Sequence, residues 1–418
     1  MEYIYTAYAF SGIIKSFLNF FGISIYLDFT LLLGCLLSAG FVLNVLLKCI
    51  YKFPTKYLIS MFLLLFFYLW LNTTILYSLS SEYSYQKSFL FLTNVLAFFI
   101  PIFYNKFDYK KFLKCFVVIS PILGMLFLAI YATTLHLSTD TAIAFSGLYL
   151  AIPECCGISI LLLIAYMELF PPSMNAIIIF FNSLVVIFAS GRGPLIIVIL
   201  VLGLFLIVNS FLNDKGSEKK FINTKSIFIF SIVLGVIVLL LTLFVKEAQI
   251  LFDQSFKRLM ILFDAASSGL EDESTMKRVE HFVFSINLIF DDIKAMLFGY
   301  GLGSYGILFS GEEGRVYPHN IILEIWFELG LTGLILFFIF FIYSCGRHII
   351  RNPFLWPVLF LFLNSMKSNN LDDLRIFFMF LAIMLLHSEQ MKSGQQALPV
   401  YCKYLNNYHK GNIVKRIS

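Results

Sequence analysis

The chain has 418 residues, of which 60% are hydrophobic and 13% charged, with a formal net charge of +5. Soluble domains are nearer half apolar and a quarter charged, so this composition excludes a water-soluble globular protein. The small positive excess lies in short links between apolar blocks rather than on a soluble basic face, so no nucleic-acid partner is expected.

The apolar residues come in blocks of about 17 to 25, the length a helix needs to cross about 30 Å of hydrocarbon. Stretches such as Tyr57 to Leu79 are apolar all round, unlike the alternating strands of a transmembrane barrel. The expected fold is therefore all-α, a polytopic transmembrane bundle with spans at 25–48, 57–79, 88–104, 115–135, 147–169, 174–190, 193–212, 226–246, 319–345, 353–367 and 373–388. Residues 3–23 leave two arrangements open, because Lys15 interrupts an aromatic-rich stretch that suits either a twelfth span or a helix lying in the interface. No cleavable signal is expected, since no basic start precedes a short apolar core.

Basic residues set the orientation. Lys48, Lys52 and Lys56 share one side with Lys106, Lys110, Lys111 and Lys114, with Lys215, Lys219, Lys220 and Lys225, with Arg347 and Arg351, and with the tail. The positive-inside rule makes that side cytoplasmic. The resulting organisation is an N-terminal membrane region (1–246), an extracytoplasmic loop (247–317), C-terminal membrane helices (318–390) and a cytoplasmic tail (391–418). None of the seven cysteines lies in the loop, so no disulfide framework supports it, and adjacent Cys155 and Cys156 read as packing residues.

In chain order, the first polar intrusions are Glu154, after Pro153 near the outer end of its span, and Arg192 in the outer turn Ser190-Gly191-Arg192-Gly193-Pro194. The loop follows, with eleven acidic residues against six basic ones (Lys257, Arg258, Lys277, Arg278, Lys294, Arg315). Val279, Phe282, Val283, Ile286 and Ile289 recur at helical spacing and predict an amphipathic helix, on the outer leaflet or packed over the bundle, with Arg278 at its start. Phe298-Gly299-Tyr300-Gly301-Leu302-Gly303-Ser304 reads as a tight turn and is weak evidence for phosphate binding. Then comes Tyr317-Pro318-His319-Asn320, with Pro318 suited to a first helical turn and His319 at the outer mouth of a span, where the helix dipole disfavours a protonated imidazole. Asn320, Glu324 and Glu328 follow at spacings of four, a polar stripe descending an apolar helix. Acids inside a bilayer are expensive and face a cavity or a partner.

Each feature also has a plainer reading. Arg192 could snorkel to headgroups, Arg278 could be a solvated loop residue, Glu154 could bond a neighbouring helix, and His319 could be a structural cap. Asp291 and Asp292 have no outer His at ligand spacing, so no metal is expected, and no cofactor either.

Taken together, the Ser-Gly-Arg-Gly outer turn, the Arg ahead of an amphipathic helix, the Gly-Tyr-Gly-Leu-Gly turn and Pro-His-Asn-x-x-Leu-Glu with a later Glu-x-Gly-x-x-Gly resemble the O-antigen polymerase and O-antigen ligase superfamily. The likeness covers roughly 145–385, including the final outer turn Ser368 to Arg375, whereas the first 140 residues match only in hydropathy. The resemblance implies a bacterial inner-membrane glycosyltransferase using undecaprenyl-pyrophosphate-linked oligosaccharide as donor and acceptor, with the lipid bilayer and a chain-length regulator protein as further partners. It implies catalytic roles for Arg192, Arg278 and His319, with Glu154, Arg258, Arg315, Tyr317, Asn320 and Glu324 as substrate contacts. At 154 many members carry asparagine. The glutamates at both 324 and 328 look more like the polymerase branch than the ligase branch. A carrier for lipid-linked oligosaccharide is the alternative of another class, but carriers tend to show internal repeats, and none is seen here.

Overall fold

The computed structural model describes residues 1–23, 28–47, 54–104, 107–134, 147–189, 191–213, 273–346 and 349–392, with isolated positions between 235 and 253. Among the described residues the chain forms helices and turns and no strand, so the expected all-α polytopic bundle is the fold observed. Six helices are long and apolar enough to cross a membrane: Thr55–Tyr77, Tyr83–Phe103, Tyr109–Ala132, Leu148–Ala165, Gly193–Ser210 and Ile321–Cys345. The span expected at 226–246, most of the loop before residue 273 and the tail after 392 lie outside the described residues.

We number the longer helices α1 (Glu2–Ala9), α2 (Ser11–Phe20), α3 (Phe29–Leu47), α4 (Thr55–Thr74), α5 (Tyr83–Phe103), α6 (Tyr109–Thr134), α7 (Leu148–Ala165), α8 (Pro172–Phe188) and α9 (Arg192–Asn213). After these come α10 (Glu273–Asp291), α11 (Ile293–Phe298), α12 (Ser304–Ser310), α13 (Ile321–Cys345), α14 (Leu355–Ser365) and α15 (Arg375–Lys392). One side of the bundle is built on α5, which packs along α15, while α13 packs along α4; the other side is α6, α7 and α8, closed by α9 and α14. Aromatic rings fill the seams, as where Phe91 meets Phe67, Tyr68 and Phe378. Such contacts supply the dispersion that must hold helices together where lipid removes the hydrophobic drive between them.

Residues 2–20 pack into the bundle through the buried side chains of Tyr5, Tyr8, Ile13 and Phe17. Glu2 accepts a hydrogen bond from the Asp108 backbone at 2.9 Å. Tyr5 then donates to the Ala97 carbonyl at 2.5 Å and Tyr8 to the Thr93 carbonyl at 2.9 Å, so α1 climbs antiparallel to α5. Just beyond it, in α2, Gly12 comes within reach of the Arg375 guanidinium at the start of α15.

Helix α13 is broken at Gly330, whose φ of 71° and ψ of −178° only glycine adopts readily. The break frees carbonyls that the helix no longer satisfies, and the glycine-rich turn fills the vacancy. Tyr300 N donates to the Phe327 carbonyl at 2.9 Å, Gly301 N to Glu328 at 3.0 Å, and the Trp70 indole to Leu329 at 3.0 Å. A side chain at Gly299 would collide with the Glu328 carbonyl, and one at Gly330 with the Leu297 carbonyl. The two glycine motifs are thus a mutual fit of backbones, and the Gly299 to Gly303 turn is spent on satisfying α13.

The amphipathic helix expected in the loop is α10. Its Ser285 and Ile289 face is buried towards α13, while Val279, Phe282, Val283 and Phe290 are exposed.

Candidate functional site

At one end of the bundle four segments converge: the 311–320 strap, the start of α10, the 366–374 turn and the first turns of α7. Residues 317–320 are locally forced. Asn320 is the N-cap of α13, its side-chain oxygen accepting from Ile322 N at 3.0 Å and Leu323 N at 3.3 Å. The helix therefore begins at Ile321, and Pro318 precedes it instead of occupying its first turn, a correction to the sequence reading. His319, left between a buried proline and the cap, has φ of 55°, the left-handed region that non-glycine residues occupy at a cost.

That backbone directs the imidazole into a group of polar side chains. The His319 ring lies 4.4 Å from the Tyr317 ring and 5.5 Å from the His281 ring, centroid to centroid, and donates to the Ser368 carbonyl. Tyr317 donates its hydroxyl to the same carbonyl at 3.3 Å. Arg278, half-buried one helical turn before His281, acts electrostatically on both His319 and Tyr317. Burial, then the neighbouring His281 and Arg278, bring the His319 imidazole down to about 4, so at neutral pH it carries an open lone pair. Burial pushes the Tyr317 hydroxyl up to about 12.

Arg315 forms an ion pair with Asp373. Next to it, burial raises the Asp372 carboxyl to about 7; one of its oxygens accepts from Tyr83 at 3.4 Å and the other is buried without a partner. Glu313, beside the strap, caps α5 from across the fold, accepting from Ser80 at 2.5 Å, Glu82 N at 2.7 Å and Tyr83 N at 2.9 Å. These bonds hold its carboxyl down at about 2.

Glu154 faces the same end, within hydrogen-bonding reach of the Asn369 side chain. The backbone of Arg192 starts α9 in a turn packed against both neighbours. A side chain at Gly191 would come within 2.8 Å of the Tyr149 carbonyl, and one at Gly193 within 2.8 Å of the Lys367 ammonium. The side chain of Arg192 and the whole of Arg258 lie outside the described residues.

The structure thus brings together Arg278, Arg315, Tyr317 and His319, with Glu154 across the turn. Asn320 spends its side-chain oxygen on the helix cap. Glu324 is fully buried, with both oxygens engaged inside the protein: one takes the Lys87 ammonium at 2.5 Å, the other the Leu371 amide at 2.9 Å.

Three further residues at this end were not singled out from sequence. His281 accepts or donates at 2.7 Å to Tyr305 and stacks on Phe309 at 4.1 Å; it follows Arg278 by three residues and so shares its helical face, a spacing that was legible. Arg375 lies over the Tyr8 ring at 5.0 Å with its Nε buried and unpartnered. Lys87 has no local signature at all.

An apolar bundle whose one end gathers guanidinium groups around a neutral imidazole defines a polytopic membrane protein with a site suited to an anionic, membrane-borne substrate. Residues 177–338 match the family model described as O-antigen ligase, a family of glycosyltransferase-like enzymes. The match is consistent with the O-antigen polymerase and ligase superfamily and covers Arg192, Arg278, Arg315, Tyr317 and His319. It leaves out α5, the 366–374 turn and α15. No curated protein matches the chain.

Proposed function

We propose that the protein is a glycosyltransferase that joins undecaprenyl-pyrophosphate-linked oligosaccharide repeat units into O-antigen polysaccharide at the outer face of the bacterial inner membrane. The observation that carries this reading is the convergence of Arg278 and a neutral His319 on the turn at Ser368. The acceptor hydroxyl attacks the anomeric carbon of the donor, the bond from that carbon to the pyrophosphate oxygen breaks, and the hydroxyl proton passes to His319. Charge builds on the departing lipid pyrophosphate, where Arg278 and Arg192 supply planar guanidinium forks that bind phosphate oxygens bidentately. Arg315, Tyr317 and Glu154 stand where the sugars would lie.

The matched description names a ligase, so the second reading is transfer of finished polymer to lipid A core. The reading as a polymerase, in which the acceptor is another lipid-linked repeat, rests on the likeness of the glutamate pattern at 324 and 328 to the polymerase branch. Deleting the gene should then leave surface lipopolysaccharide capped with a single repeat unit, because ligation still proceeds. Bare core with accumulated long lipid-linked polymer would establish the ligase instead. Purified protein should also release undecaprenyl pyrophosphate from lipid-linked repeats; movement of the lipid between leaflets without cleavage would make it a carrier.

The orientation rests on the basic links. Lys56 meets Ser388 at 3.2 Å and Glu389 at 3.7 Å, and Glu2 meets Asp108, so the connections rich in lysine gather at the end opposite the site. With the outer barrier of intact cells opened, a cysteine replacing Ser268 should react with an impermeant thiol reagent and one replacing Ser217 should not. Equal labelling overturns this orientation.

A further inference from the structure

Among the described residues the most deeply buried charges belong to Lys87, Glu324 and Glu328, whose side chains are at most 1% exposed. The Lys87 ammonium donates to Glu324 at 2.5 Å and to both oxygens of Glu328 at 2.8 Å, spending all its donors within the protein. The second oxygen of Glu324 accepts from the Leu371 amide at 2.9 Å, and Asn94, two helical turns along α5 from Lys87, donates to the Leu371 carbonyl at 2.9 Å. One residue of the 366–374 turn is therefore gripped on both its backbone groups from inside the membrane region. The same turn presents the Ser368 carbonyl to His319 and Tyr317, and Asp373 to Arg315.

We propose that the Lys87–Glu324 pair is a positioning element: it fixes the backbone at Leu371, and through that turn sets His319, Tyr317 and Arg315 in register for the transfer reaction. This rests on the transferase reading for its consequence, though not for its geometry. Both side chains are buried and engaged within the protein, so the role proposed is one of positioning. Lys87 serves by holding one Glu324 oxygen so that the other faces Leu371. A buried ion cluster across helices from residues 87, 324 and 328 costs desolvation that a pair of apolar residues would avoid, so its stability contribution alone does not account for it.

The chemistry of an amide supplies the test. In Glu324→Gln the single amide oxygen cannot accept from both Lys87 and the Leu371 amide, and the NH2 group must face one of those donors. In the double variant Lys87→Met with Glu324→Gln the conflict disappears: the oxygen accepts from Leu371 and the NH2 is free to donate to Glu328. The single variant should therefore exchange the amide hydrogens of residues 371–374 about 10-fold faster than the wild type. It should lose about 10²-fold in kcat with KM for the lipid-linked donor little changed, as expected of a small misplacement. Adding Lys87→Met should restore slow exchange and most of kcat, although it removes a second charged residue. A double variant no better than Glu324→Gln in either readout overturns the proposal, as does a loss seen in KM rather than kcat, which would make Glu324 a substrate contact. If the wild type fails to cleave lipid-linked repeats, the transferase reading falls and the exchange pattern still decides the positioning role.

Discussion

Replacing His319 should lower kcat by about 10²- to 10⁴-fold, the usual contribution of a positioned general base. Two substitutions separate chemistry from backbone strain. His319 sits at φ 55°, where alanine pays for a left-handed conformation and asparagine is tolerated far better. If the imidazole is the base, His319→Asn and His319→Ala should be comparably inactive, and both should still bind the donor lipid. Activity retained in His319→Asn alone would reduce the residue to a backbone element.

The pH profile gives an independent check. His319 is brought down to about 4 by burial and by the positive groups around it, so kcat/KM should stay flat, as far as this group governs it, from neutrality to about pH 5 and fall as the ring protonates near 4. Stability moves the same way. The unfolded imidazole titrates near 6.5, so between about 6.5 and 4 the unfolded chain binds more protons than the native one, and stability is lost as the pH is lowered through that window. A rate that climbs on acidification towards pH 4 would contradict a neutral base.

Arg278→Lys is the second large effect. The charge is kept, but a point ammonium cannot reproduce the two parallel N–H donors that a guanidinium offers a diphosphate, and loss of one such donor costs about 10²- to 10³-fold in kcat. The half-buried side chain sits on α10 against the strap and makes no ion pair among the described residues, so folding should be little affected. Expression and thermal unfolding like the wild type, with transferase activity nearly abolished, is the expected result. Wild-type product would show that the arginine is merely solvated.

A practical consequence concerns which part of the chain makes the site. The family match ends at residue 338, yet the strap carrying Arg315 and His319 leans on the 366–374 turn, and that turn is held by Asn94 of α5 and by Glu324, which is itself paired with Lys87 of α5. Variation in the first hundred residues is thus expected to reach the reaction through the backbone of Leu371.

Sequence alone determined the all-α bundle, because apolar blocks of membrane length leave helices as the one way to satisfy every backbone group in lipid. Ten of its expected spans coincide closely with described helices, among them 115–135 with Tyr109–Thr134 and 319–345 with Ile321–Cys345. The resemblance carried by the short motifs also named Arg278, Arg315, Tyr317 and His319 as candidates, all in or next to the loop 247–317. Other features belonged to the tertiary structure. The sequence marks 299–303 as a turn and places Gly330 within the span 319–345, and only the docking of the two shows one backbone completing the other. Lys87 falls just outside the expected span 88–104. In the fold it lies one turn inside α5 and fully buried. The glutamates at 324 and 328 announced that some partner was needed, because a bilayer does not solvate carboxylates. Its identity was hidden by a separation of more than two hundred residues, for pairing across that distance leaves no periodicity in the chain and is decided only when α5 and α13 come together.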